Sequence, residues 1–273
     1  MPEPISPTPS RRAARWLRAA DRQLYLFQIG VSSGFVDYRR MFTWKSWLFG
    51  WVLRLVAQVA FFASMGRLLG VPGSQDYLAL GNAALLGPLG ALGVVSTVAA
   101  ERRAGTLVLL VLSRAAALPV LAARGLYWAF DAVLTATLAT ALLPVIAGTA
   151  VPFAALPGIF CLEVLGTVSC YALALALTPL GMRFPETRGY LTSGVLVLLM
   201  LFSGVNTRLT GGGPGSVLPM THALTGIRQL AAGGAFPWPA LGGELLVWGG
   251  WILAAAVMVP WGLRRAARSG GLG

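Results

Sequence analysis

The chain has 273 residues, 56% hydrophobic and 11% charged, with a net charge of +12 and a mean hydropathy of +0.73. A soluble domain carries about 25% charged residues, so a soluble enzyme of this size is excluded, whereas a bilayer solvates apolar side chains directly. The positive charge is nearly all arginine, with Lys45 the single lysine, and it lies between long apolar runs. That points to a membrane and excludes a nucleic-acid reader, which needs a soluble basic face.

Residues 1–10 are Pro- and Ser-rich without periodicity and read as a disordered tail. No cleavable signal peptide is expected, because the first 28 residues lack an apolar stretch of the required length. Arg11, Arg15, Arg18 and Arg22 recur at helical spacing, with Ala13, Trp16, Leu17, Ala20, Leu24 and Phe27 largely on the other side. Residues 11–46 therefore form an amphipathic interfacial segment, its helix lying on anionic membrane lipids. Six apolar runs follow, near 47–69, 78–99, 122–148, 154–178, 190–207 and 240–261. Each is about 18–27 residues, enough to cross a hydrocarbon core of about 30 Å. The expected fold is an all-α integral membrane protein with a six-helix transmembrane domain over 47–263 and a cytoplasmic tail over 264–273. Within the fourth run Cys161 and Cys170 fall on roughly opposite helix faces and cannot pair with each other. In the second run Ala83, Gly87 and Ala91 recur every four residues, a spacing that lets helices approach closely.

Orientation follows from the cations. With the N-terminus inside, seventeen Lys and Arg fall in cytoplasmic segments, Arg67, Arg208 and Arg228 fall outside, and Arg54 is intramembrane. Both termini are then cytoplasmic in a multi-pass protein of the plasma (inner) membrane.

Two connections are too long for simple turns. The cytoplasmic one, 100–121, carries Glu101-Arg102-Arg103-Ala104-Gly105-Thr106-Leu107, then Leu109, Leu110, Ser113 and Arg114. A charged cluster leads there into an apolar helix too short to span, with Glu101 expected near its N-terminus, where the helix dipole favours an anion. The outer connection, 206–239, carries Leu218-Pro219, then His222 and Arg228, then a Gly-rich turn.

The stretch 101–107 resembles the Glu-Arg-x-x-Gly-Thr-Leu stretch of type 2 ATP-binding-cassette (ABC) exporter permeases. The resemblance implies a cytoplasmic coupling helix after span two, docking through Glu101, Arg102, Arg103, Gly105, Thr106 and Leu107 on an ABC ATP-binding subunit. The outer connection is similar to that family's re-entrant helices before span six, here with Pro219, His222 and Arg228. A second permease subunit, in a homo- or heterodimer, is implied as well. The chain has no P-loop of its own, because Trp44 precedes its only lysine. No cofactor is expected on this chain, and ATP and Mg belong to the partner subunit.

Charges inside a membrane are costly and mark pairing or function. Arg54 and Asp131 lie at similar depth in spans one and three and are expected to pair, with Arg124 and Asp131, seven residues apart on one face, as the rival pair. Arg54, Gln58, Asp131 and Glu163 are the candidate substrate-path residues, Glu163 standing near mid-membrane. Glu244 is expected to reach the headgroups. His222, the sole histidine, has no neighbouring ligand set for zinc. The leading reading is an ATP-driven export subunit for an amphipathic drug, antibiotic or lipid. The alternatives are a non-transporting scaffold or assembly factor and an intramembrane enzyme. The enzyme is disfavoured by one histidine and no Gly-x-Ser-x-Gly elbow.

Overall fold

A computed structural model describes residues 11–107, 117–208 and 213–268, with 11–20 and 185 described by backbone alone. The proposed tail 1–10, residues 269–273 and the second half of the proposed coupling helix, including Leu109, Leu110, Ser113 and Arg114, lie outside the described residues. The described chain is helical. We number its main helices α1 (Arg11–Met41), α2 (Trp44–Leu68), α3 (Ser74–Arg103), α4 (Ala117–Ala141), α5 (Phe153–Arg183), α6 (Arg188–Phe202), α7 (Thr221–Ala231) and α8 (Trp238–Arg268).

Five of these, α2, α3, α4, α5 and α8, are long and apolar enough to cross a membrane. The sixth expected span is the 15-residue α6, which at about 1.5 Å per residue falls short of a core about 30 Å thick. Its helix stops at Phe202 because Ser203 and the turn through Gly204 (φ +79°) end the repeat of backbone bonds.

α3 and α5 form the buried centre, while α2 and α8 turn most of their surface outward. Pro88 removes a backbone donor inside α3, and the helix breaks a turn later at Leu92-Gly93. The expected small-residue contact is present: a methyl group added at Gly87 would meet Thr167 of α5, and one at Gly90 would lie 2.7 Å from Ala132 of α4. Cys161 is exposed and Cys170 buried, as their spacing requires.

α1 runs to Met41, inside the interfacial segment expected over 11–46. Its second half packs along α4. Gly30 and Gly34 form the contact: a Cβ on Gly30 would come within 2.7 Å of the Ala123 Cβ, and one on Gly34 would overlap the Arg124 carbonyl. Phe35 meets Phe130 edge-on at 5.9 Å.

Two opposite ends of the bundle are defined by side-chain contacts. At one end Arg102, Arg183 and Arg265 line a common hollow. At the other, Arg67 donates to the Ala147 carbonyl at 3.2 Å, and Arg208 and Arg228 both stand over the Tyr77 ring. The three arginines expected to share one membrane face therefore lie together, away from the crowded basic end.

Candidate functional site

Residues 101–107 form a turn whose residue types follow from local geometry. α3 ends at Arg103, and Ala104 and Gly105 close it with backbone bonds to Ala100 and Arg102. Gly105 adopts φ +72°, a left-handed conformation that only glycine takes without strain. The Thr106 hydroxyl donates to the Glu101 carbonyl at 3.0 Å and contacts the Glu101 carboxylate. Leu107 is buried beside Val98, Leu121, Met182, Val259 and Leu263, which anchors the turn to α3, α4, α5 and α8. Arg102 donates to the Met182 carbonyl, so its guanidinium faces inward, while Arg103 and Ala104 are exposed. Glu101 thus belongs to the last turn of α3, not to the start of a separate helix. Its charge there opposes the helix dipole and is compensated by Arg124, 2.6 Å away on α4.

Arg124 also bonds Asp37 of α1 at 3.0 Å. One guanidinium therefore ties the 101–107 turn to both α4 and the amphipathic helix. About two turns further along α4, the Tyr38 hydroxyl and the Trp47 indole N–H both donate to Asp131 Oδ1 at 2.6 Å. Burial, and then the hydrogen bond to Asp131, push the Tyr38 phenol above its ordinary value, so it stays a donor at physiological pH.

These contacts correct both expected ion pairs. Asp131 is held by two neutral donors and pairs with neither Arg54 nor Arg124. Arg54 stands on the exposed side of α2 over the Trp51 ring at 5.7 Å. Gln58 donates to the Asn82 carbonyl at 3.4 Å. Glu163 is buried between α4 and α5 and accepts from Thr137 at 3.0 Å and Thr140 at 2.5 Å. It borders a void of about 10 Å³, room for about one water and none for a cargo molecule in this conformation. Arg54, Gln58, Asp131 and Glu163 are thus four separate sites, not one constellation.

At the opposite end, α7 packs against α5 through small residues. Gly166 faces Ala223, Gly226 faces Leu162, and Gly158 faces Leu230. Glu244, expected at the headgroups, is instead fully buried and accepts from the Met220 and Ala223 N–H groups at 2.8 and 3.1 Å. It satisfies donors at the α7 N-terminus that the helix itself cannot. Pro219 accepts from the Ser203 hydroxyl at 3.3 Å, and the His222 Nε2 lies 3.0 Å from the Ser216 carbonyl. Arg228 donates to the carbonyls of Tyr77 and Val205, and burial lowers it to about 10, still charged at neutral pH. Ser216, His222, Gly243, Val247, Gly250 and Trp251 border a hollow of about 590 Å³.

The residues that sequence reasoning missed are Asp37, Tyr38, Trp47 and the true role of Glu244. A signal for the first two existed in Gly30-Val31-Ser32-Ser33-Gly34, a small-xxx-small pattern that marks a helix contact.

No protein-family model, curated protein or solved structure matches the chain. The fold and composition define its class: a helical protein with five helices long and apolar enough to cross a membrane, the make-up of a multi-pass membrane protein.

Proposed function

We propose that the chain is the membrane subunit of an ATP-driven exporter of the type 2 ABC class, powered by a separate ATP-binding subunit and working as a dimer. The observation that carries this reading is the 101–107 turn. Its Glu, Gly, Thr and Leu are each used internally to hold a rigid shape, which leaves Arg103 and Ala104 exposed at the basic end. A turn already held in shape loses less conformational entropy on docking to another protein, which favours such a role. Arg124 would pass a displacement of the turn to α1 and α4 together, because it bonds Glu101 and Asp37 at once.

In this reading α6 completes a sixth span, with the bilayer thinning around it or neighbouring helices covering its ends. The segment from Pro214 to Ala231 is the re-entrant outer element, a reading supported by the packing of Met220 and Ala223 on Gly166 of α5. Both termini lie in the cytoplasm, in keeping with the gathering of Arg102, Arg183 and Arg265 at one end. The 590 Å³ hollow, walled by Val247 and Trp251 with Ser216 and His222 at hand, suits an amphipathic cargo.

Co-purification from native membranes tests the reading, and the geometry selects the variant. Glu101 and Arg102 are structural, so their loss would perturb the fold. Arg103→Glu changes only an exposed side chain. A P-loop protein recovered with the wild type and lost with Arg103→Glu is the expected result. Equal recovery with both, or no such protein with either, contradicts it.

A further inference from the structure

The basic end carries a feature that docking does not use. The closing turns of α3, α5 and α8 surround a hollow of about 300 Å³ bordered by Arg102, Arg183 and Arg265, with Pro179, Met258 and Trp261 as its apolar wall. A second hollow of about 450 Å³ adjoins it, sharing Trp261 and Arg265 and adding Arg264 and Arg268. Five arginines thus border two neighbouring spaces that share Trp261 and Arg265, and no carboxylate borders either among the described residues. Part of this charge answers the helix ends. Three C-termini supply about half a negative charge each, less than Arg183, Arg264 and Arg268 carry with Arg102 and Arg265 left out of the count, so a positive excess remains.

The surroundings say what kind of anion fits. Gly262 packs so closely on Pro179 that a Cβ there would lie 2.5 Å from the proline ring, which makes the α5–α8 seam the floor of the hollow. Leu180 and Trp261 on its rim are 45% and 50% exposed, so the hollow opens sideways along the helices as well as toward their ends. Trp261 stands 5.4 Å from the Arg265 guanidinium near the end of α8, and an aromatic beside a cation is the pairing found where spanning helices meet headgroups. A free anion needs only the cations. A lipid uses both the cations and the adjoining apolar wall, and basic pockets between spanning helices take acidic headgroups in this way.

We propose that this hollow is a binding site for an anionic phospholipid, with its phosphate among Arg183, Arg264 and Arg265 and the start of an acyl chain along Trp261 and Met258. The site requires only that the chain lie in a bilayer, so it stands or falls apart from the exporter reading. It also abuts the 101–107 turn, since Met182 takes the Arg102 hydrogen bond and packs with Leu107.

The test is lipid retention by the purified full chain. Protein in mixed micelles of phosphatidylglycerol and phosphatidylcholine with matched chains is passed through detergent, and the retained lipid is counted by native mass spectrometry. Wild type is expected to prefer phosphatidylglycerol by roughly tenfold. Arg183→Gln with Arg265→Gln should bring the ratio near one, with unchanged thermal stability in phosphatidylcholine. Arg39→Gln with Arg40→Gln, which removes equal charge from exposed positions of α1, should keep most of the preference. If the first variant does not fold, Arg264→Gln with Arg268→Gln, both exposed, is read by the same criterion. No preference in the wild type, an equal loss in the α1 variant, or full displacement of the lipid by millimolar inorganic phosphate overturns the proposal.

Discussion

Met220 adopts φ +73°, a conformation that a side-chain-bearing residue enters at a cost of about 1–2 kcal/mol, and its N–H and that of Ala223 both point at the Glu244 carboxylate. Removing that acceptor leaves two buried donors unmet, at about 1–3 kcal/mol each. Glu244→Ala should therefore destabilise the protein by about 2–5 kcal/mol, read as a lowered thermal midpoint in detergent. Glu244→Gln keeps one acceptor oxygen and should lose clearly less. Equal midpoints for wild type and Glu244→Ala would refute the role. Gly105→Ala is a smaller test of the same kind. Nothing lies within 4 Å of the added methyl, so only the positive φ is strained, and a loss of about 1 kcal/mol is expected. The sequence supplied the identity of these charged residues but not their partners. Glu244 sits on a helix of ordinary apolar pattern, and the donors it serves lie more than twenty residues away in sequence. The same holds for Asp131: its place on an apolar helix was legible, but Tyr38 of α1 and Trp47 of α2 reach it only once the helices are packed.

The docking of α1 is a property of the element. Its basic N-terminal half was readable from the arginine spacing, because an amphipathic period survives any tertiary context. The packing of its second half on α4 was not, because residues 29–38 mix small, polar and apolar types that make sense only against α4. Gly34→Leu would drive a side chain into the Arg124 backbone and should lift α1 from α4. Trypsin cleavage after Arg39 and Arg40 should then speed up severalfold, with α2 through α8 unaffected. An unchanged rate would show that α1 is held by something other than this contact. α6 poses the opposite problem. Its hydropathy reads as a span, yet the helix stops at 15 residues, because a window of apolar residues does not register where Ser203 and Gly204 end the backbone pattern. Cysteines placed at Glu186 and Thr207, labelled from one side of sealed vesicles after Cys161 and Cys170 are replaced, decide the matter. Labelling from opposite sides is expected for a spanning α6. Labelling from the same side would leave five spans and place the termini on opposite faces.

For the whole molecule, composition alone indicated a helical membrane protein, and the segregation of cations anticipated which helix ends gather together. Composition and spacing say nothing of a partner. That inference rests on seven consecutive residues, Glu101 to Leu107, whose turn geometry is internally satisfied and whose exposed face is small. A photo-reactive side chain at position 103, activated in native membranes and followed by identification of the adduct, tests it most directly. The expected adduct is a P-loop ATP-binding chain, formed at position 103 and absent when the same probe replaces Arg208 at the other end of the bundle. An adduct with lipid alone, or with a protein that binds no nucleotide, would contradict the exporter reading.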